Sequence, residues 1–450
     1  MDGFSRDGLP LSTKVGYAVG DLGISIAYFA VGFFFLFSLT DVAGLPAAVA
    51  GIVVLIGKLW DGVNDPIIGV LNDRTRAAGG RKRAYLRYGA LPFALSFALL
   101  WWLPTDASDT ITFLLATGAI LLFATAYSIV AVPYNALVPV MTRDYDERTQ
   151  VVGFKAVTSA LGTILGGGIA LLVTRGDDLA SALRTVSVAF GVVCGVAVLV
   201  AAPSVTGWES RNDVDITRVP LRRYVALAAE RNVSTLLWFK LVGAVATGVL
   251  SAAIPYFAAH VLGSAGLATI SLAIYTITAA ALVPVVTRLT HRFEKPRLLL
   301  AFNGVAAALL LVIGFMSTTG SSLIFLAGSA LLGAAMSAYL LIPPSLVPDL
   351  VDVYQHDRNE RHESVFFGLW MTVHQLGLGL AGVMLGVLLQ LFGYDGTAPE
   401  QSAGGVLGVR VAFGVVPGVL LLVASVILLR YGITRARYEQ TRTELESARP

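Results

Sequence analysis

Apolar runs long enough to cross a bilayer recur along the whole 450-residue chain, separated by short polar stretches. A hydrocarbon core of roughly 30 Å takes about 20 residues of helix, and a run of that length satisfies its own backbone only as a helix. By that measure spans fall near 16–39, 46–72, 84–104, 109–141, 149–174, 181–203, 233–261, 266–290, 297–317, 321–348, 363–393 and 408–431. Hydrophobic residues make up 56% of the chain and charged residues 14%, too few charges to solvate a soluble surface of this size. The reading is an all-α polytopic membrane protein with twelve transmembrane helices. Residues 1–14 are polar and lack the short apolar core of a cleavable signal, so insertion is expected through the first span. The net charge of +3 sits in loops and reads as topology, with no nucleic-acid partner. A single cysteine, Cys194, excludes an intrachain disulfide.

Loop charges give the orientation, because cytoplasmic loops carry the excess of Lys and Arg. Arg74, Arg76, Arg81, Lys82, Arg83 and Arg87 follow the second span, and Arg143 and Arg148 the fourth. Arg288, Arg292, Lys295 and Arg297 follow the eighth, and Arg358 and Arg361 the tenth. Alternate loops carry Asp106, Asp109, Asp177, Asp178, Asp395 and Glu400. Both termini are expected in the cytoplasm and the protein in the cell membrane, with lipid as its surroundings and no second copy required.

The two halves repeat faintly. Phe37-x-x-x-Asp41-Val42-x-Gly44 closes the first span, and Tyr256-x-x-x-His260-Val261-x-Gly263 closes the seventh. Leu137-Val138-Pro139 late in the fourth matches Leu346-Val347-Pro348 late in the tenth. A shared offset of this kind implies a six-plus-six duplication. The expected layout is a first six-helix bundle over 1–204, a cytoplasmic linker over 205–232, a second bundle over 233–436 and a cytoplasmic tail over 437–450. Pro133 and Pro139 interrupt the fourth span, and Pro343, Pro344 and Pro348 the tenth. Such paired breaks either mark a midplane site or serve packing.

The stretch Lys58–Asp73, KLWDGVNDPIIGVLND, is the chemistry inside this apolar frame. Ionisable groups at membrane depth cost about 2.5–3.5 kcal/mol each on insertion scales, so a chain keeps them where they meet a partner or a water-filled path. Asp61 and Asp65 are four apart and share one helix face, with Lys58 one turn earlier. Pro66 lacks an N–H, so the Gly62 carbonyl loses its helical partner. Two carboxylates, the Asn64 amide and a freed carbonyl suit a small hard cation or a proton. The alternative is a structural pair between Asp61 or Asp65 and a lysine, Lys58 or Lys155. Among the other membrane-depth polar groups, Tyr127, Tyr134 and Asn135 either line a cavity or pack. His374 is either a satisfied core imidazole or a proton relay, and Lys240 reads as a lysine snorkelling to the interface.

These residues resemble the major facilitator superfamily and, within it, the glycoside–pentoside–hexuronide:cation symporter family. The likeness starts at Gly16-Tyr17-x-x-Gly20-Asp21, passes through Tyr28 and Thr40-Asp41-Val42-x-Gly44-Leu45, and is strongest at Lys58-Leu59-Trp60-Asp61-Gly62-Val63-Asn64-Asp65-Pro66. It continues at Asp73-Arg74-Thr75-Arg76, Val132-Pro133-Tyr134-Asn135, Glu147-Arg148-Thr149, Asp349-Leu350-Val351-Asp352 and Arg361-His362-Glu363-Ser364.

The resemblance implies the major facilitator fold, two six-helix bundles rocking about a cavity. It implies a cation site on spans one, two and four beside a solute site. Carried over by position, Asp61 and Asp65 match the cation-site carboxylates, and Asn64 and Ser128 nearby polar positions. Asp21 matches an acid that bridges cation and sugar, and Lys155 stands where sugar carriers of the family have an Arg. Solute-site candidates are therefore Asp21, Tyr28, Tyr127, Asn135, Lys155, His374 and Gln375. The Gly69-x-x-x-Asp73-Arg74 to Arg81 loop resembles the superfamily's cytoplasmic signature, with Asp73, Arg74 and Arg81 as gating residues. Four positions depart from the family's melibiose carriers. A sugar-contacting Asp is Ala131 here, a Trp four residues further on is Asn135, a span-eleven Lys is Gln375, and a span-ten Trp is Leu340.

The implied function is a cation-coupled symporter of a small organic solute, a sugar or glycoside-like compound, with sodium or a proton as coupling ion and no cofactor. An amphiphilic, lipid-like solute is the rival within that class, and a non-transporting receptor or scaffold the rival outside it. No Walker-type loop, G-x-S-x-G or H-E-x-x-H motif marks an enzyme.

Overall fold

The structure is a computed structural model and describes residues 9–75, 81–142, 144–169, 179–205, 227–358, 363–398 and 400–447. Most of the basic central linker, with Arg211, Arg218, Arg222 and Arg223, lies outside the described residues, as do Arg76, Arg143, Asp177, Asp178 and Arg361.

Among the described residues the long elements are all helical. They are α1 (Leu11–Phe37), α2 (Ala47–Arg74), α3 (Arg81–Leu99), α4 (Asp109–Asn135), α5 (Tyr145–Gly167), α6 (Leu179–Ser204), α7 (Arg231–His260) and α8 (Gly266–Thr290). They continue with α9 (Lys295–Met316), α10 (Ser322–Arg358), α11 (Glu363–Leu391), α12 (Ala403–Leu428, through a π-helical turn at Val411–Val415) and α13 (Arg435–Ser447). Ten of them are long and apolar enough to cross a membrane. The other two of the first twelve, α3 and α5, have 19 and 23 residues. Their charges lower the hydropathy: α3 opens on Arg81, Lys82 and Arg83, and α5 carries Asp146, Glu147, Arg148 and Lys155.

Contacts divide the chain into two units. The first comprises Met1–Val214 with Asp395–Pro399, and the second Asp215–Tyr394 with Glu400–Pro450. In the first, α1 packs on α5 and α6, α3 on α4 and α6, and α2 on α4. In the second, α7 packs on α11 and α12, α9 on α10 and α12, and α8 on α10. The second pattern is the first advanced by six helices.

The repeat extends to atoms. Gly44 after α1 and Gly263 after α7 hold φ of +72° and +73°, a left-handed turn that glycine enters without a Cβ penalty. Each turn closes with a six-residue backbone bond, Leu45 N–H to Leu39 O and Ser264 N–H to Ala258 O, both 2.9 Å. On α5, a Cβ at Gly162 would lie 2.6 Å from Ser25 Cβ and 2.9 Å from Leu22 O. On α11, a Cβ at Gly377 would lie 2.6 Å from Ala244 Cβ and 2.9 Å from Leu241 O. In lipid, where apolar burial gives helices little reason to associate, such small residues let backbones close to contact.

The proline pairs behave differently from the expected matching breaks. Pro133 lies inside α4, which ends at Asn135 and resumes as a short helical turn, Val138–Met141. α10 runs unbroken for 37 residues through Pro343, Pro344 and Pro348. A proline removes one ladder bond, and a helix supported by its neighbours tolerates that loss.

Candidate cation and solute site

The first unit gathers most of the expected site residues. Asp61 is 7% exposed and accepts a hydrogen bond from the Lys58 ammonium at 2.9 Å. Both sit on α2 at the i,i+3 spacing that stacks side chains on one face. One turn on, Asp65 accepts from the fully buried Ser128 hydroxyl of α4 at 2.5 Å. Asn64 is buried beside it, and its amide Nδ2 has no hydrogen-bond partner. Trp60 donates its indole N–H to Thr125 of α4 at 2.9 Å, a second tie between the two helices. The Lys58 ammonium also lies over the ring of Tyr28 on α1, 5.2 Å from its centroid, and Tyr28 meets Tyr127 of α4 at 6.1 Å.

A second charged group is centred on Asp21 of α1, which is 4% exposed. Lys155 of α5 pairs with it at 3.5 Å and donates to the Asn135 amide oxygen at 2.5 Å. The same ammonium stands 5.4 Å from the ring centroid of Tyr134. Tyr134 and Tyr17 stack at 4.4 Å, and each hydroxyl donates to the other's backbone carbonyl. This reciprocal lock fixes α1 against α4 one helical turn from Asp21.

Three carboxylates, Asp21, Asp61 and Asp65, thus stand with two ammoniums, Lys58 and Lys155. Counted as fully ionised, these five groups carry one negative charge in excess. Oxygen from two carboxylates, an amide and a hydroxyl is a donor set that fits a hard monovalent cation or a proton. Among the described residues no group of three His, Cys, Asp or Glu side chains forms a denser metal site.

His374 and Gln375 lie in the second unit, on α11. The buried Gln375 Oε1 has no hydrogen-bond partner. Of the gating set, Arg74 is exposed at the end of α2, and the side chains of Asp73 and Arg81 fall outside those described. Sequence reasoning missed Ser25 and Ser159. Ser25 donates to Asp21 at 3.3 Å and shares a hydrogen bond with Ser159 at 3.0 Å. Each stands four residues after a charged residue, Asp21 or Lys155, so helical spacing alone could have found both.

The family model for the MFS/sugar transport proteins matches residues 16–435. The chain belongs to this family of membrane transporters. A glucuronide carrier protein homolog of Escherichia coli strain K12 is 25% identical over 445 residues, covering 97% of this chain and 95% of its own length. The sodium-dependent lysophosphatidylcholine symporter 1 of Gallus gallus is 24% identical over 490 residues, covering 99% and 91%. Among solved structures, a D-xylose-proton symporter superposes with a TM-score of 0.66 at 12% identity, covering 94% of this chain and 98% of its own, and shares the fold.

Proposed function

We propose that the protein is a cation-coupled symporter of a small organic solute, sugar or glycoside-like, that works by alternating access in the cell membrane. The excess of one negative charge among Asp21, Asp61, Asp65, Lys58 and Lys155 carries this reading. Without a mobile cation, Lys58 neutralises Asp61 and Asp65 rests on a hydroxyl. A cation entering among Asp61, Asp65, Asn64 and Ser128 supplies the missing charge. It draws α2 and α4 together, and the Tyr17–Tyr134 lock carries that change to Asp21 and Lys155. Coupling then lies in a cation affinity that differs between the two states of the carrier.

Sodium fits the oxygen donors, and the sodium dependence of the Gallus gallus relative supports it; a proton on Asp65 is the alternative. The family description supports a sugar as solute. Ala131 and Leu340, which offer neither acid nor aromatic face, together with the lysolipid relative favour an amphiphile as the second reading. Asp73, Arg74 and Arg81 act as the cytoplasmic gate, both termini are cytoplasmic, and a monomer in lipid suffices.

The test is uptake by proteoliposomes under an imposed sodium or proton gradient, with a panel of neutral sugars, sugar acids and lysolipids. Gradient-dependent accumulation of at least one solute is the expected result. Absence of any solute uptake, with the gradient intact, would leave the receptor reading in its place.

A further inference from the structure

The repeat places a second charged residue where the first unit has Asp21. Gly44 and Gly263 are equivalent caps, 219 positions apart, so Asp21 on α1 corresponds to Lys240 on α7. Gly162 and Gly377 make the same contacts to α1 and α7 at an offset of 215, so Lys155 on α5 corresponds to Trp370 on α11. The first unit fills this place with an acid–base pair, Asp21 with Lys155 at 3.5 Å. The second fills it with a base and an indole, the Lys240 ammonium 4.6 Å from the Trp370 ring centroid. The charge that answers the base is missing: among the described residues Lys240 is in no ion pair with a carboxylate.

Depth argues against snorkelling. α7 opens at Arg231, and Lys240 lies nine residues further in, about 14 Å along the axis. Its ammonium rests on an indole that is only 6% exposed. A cation held at such depth without an acid is costly unless a counter-charge arrives. One turn along α7 from Lys240, the Tyr339 hydroxyl of α10 stands against Gly243, buried and with no hydrogen-bond partner. The Tyr339 ring also packs on Phe239, the residue before Lys240, at 6.1 Å. An ammonium lacking its acid and a hydroxyl lacking its acceptor therefore face the same two turns of α7. An oxygen anion is the group whose chemistry answers both, a counter-charge for the ammonium and an acceptor for the hydroxyl.

We propose that Lys240, Trp370 and Tyr339 form a subsite in the second unit for an anionic oxygen group on the transported solute, a carboxylate or a phosphate. The ammonium meets the charge, the hydroxyl donates to one of its oxygens, and the indole holds the ammonium in place while the subsite is empty. This rests on the reading of the chain as a solute carrier and names the class of solute it takes.

Thermal unfolding of the purified protein in lipid nanodiscs tests it without any gradient, so it stands apart from the coupling experiments. Two matched pairs of probes differ by the charged group: methyl glucuronide against methyl glucoside, and lysophosphatidic acid against monooleoylglycerol. Ligand binding to the folded state raises the unfolding temperature, by a few degrees at saturating concentrations. The acid member of one pair is expected to raise Tm by about 3 °C or more and its neutral partner by less than a third of that; which pair responds tells carboxylate from phosphate. Lys240→Gln should erase the difference between the members, Lys240→Arg should keep it, and Tyr339→Phe should reduce it. Equal shifts from both members of each pair, no shift from either acid, or an acid preference unchanged in folded Lys240→Gln would overturn the subsite.

Discussion

At the level of single residues, Lys58 decides how the cation site behaves when empty. Its ammonium is tethered one turn from Asp61 and holds that carboxylate at 2.9 Å. Removing one member of a buried pair costs about 3–5 kcal/mol, because the charge left behind has neither water nor partner. A mobile cation that binds only the folded site recovers stability as its concentration rises above the dissociation constant. Lys58→Met should therefore unfold several degrees below wild type in choline chloride and regain most of that loss in sodium chloride. Wild type should respond less to the same exchange, since its own ammonium already serves Asp61. Unfolding curves in the two salts check this, and an equal sodium response in both proteins would remove Lys58 as the competitor. The Lys58–Asp61 contact was legible in the sequence, since three residues on one helix face fix it. The bond from Ser128 to Asp65 was not derivable from spacing, because it depends on α4 meeting α2; only the family resemblance pointed to Ser128.

Between elements, the helix contacts that seat these residues run through glycine. Gly162 lies seven residues after Lys155 on α5, and its contacts on α1 are to the Leu22 carbonyl and the Ile26 nitrogen as well as a side chain. Backbone atoms cannot swing aside as a side chain can, so an added methyl must push the helices apart. Gly162→Ala and Gly377→Ala should each cost about 1–3 kcal/mol and lower the unfolding temperature by several degrees. Gly118→Ala on α4 is the control, for a Cβ there meets nothing within 4 Å and the exchange gains helix propensity. A Gly162→Ala protein as stable as Gly118→Ala would show that α1 and α5 do not close on this contact. Separation of α1 from α5 would also lengthen the Asp21–Lys155 pair, so transport should fall further than stability alone explains. The twelve long helices and the paired caps could be read from hydropathy and from the Gly44 and Gly263 motifs. The continuity of α10 could not, because whether three prolines break a helix is settled by its neighbours and not by its own residues. The match of Lys155 with Trp370 was hidden for another reason: the two side chains share a place but no chemistry.

For the whole molecule, charge and not contact sets how many cations move with each solute. The two units share a packing pattern, yet the acids of α2 have no counterpart on α8, whose 25 residues include no Asp or Glu. The coupling cation is therefore counted in the first unit, while Lys240 of the second answers the charge of an anionic solute. In the first unit three carboxylates stand with two ammoniums, and a site with a net charge is costly to carry through a low-dielectric barrier. One monovalent cation removes the excess, so each cycle should move one cation per solute through this site. Asp65→Asn keeps the shape, including an acceptor for Ser128, and leaves two carboxylates to two ammoniums. That site is neutral with no cation aboard, so the carrier can reorient without one. Solute exchange should continue within about threefold of wild type, while gradient-driven accumulation should fall to the level seen without a gradient. Lys155→Met has the opposite arithmetic, leaving two negative charges in excess, and should slow exchange unless a second cation is taken up. Reversal potentials in proteoliposomes measure the cation-to-solute ratio, and parallel exchange assays separate coupling from solute binding. A ratio of two for the wild type, or full accumulation by Asp65→Asn, would mean that the buried charges do not set the stoichiometry.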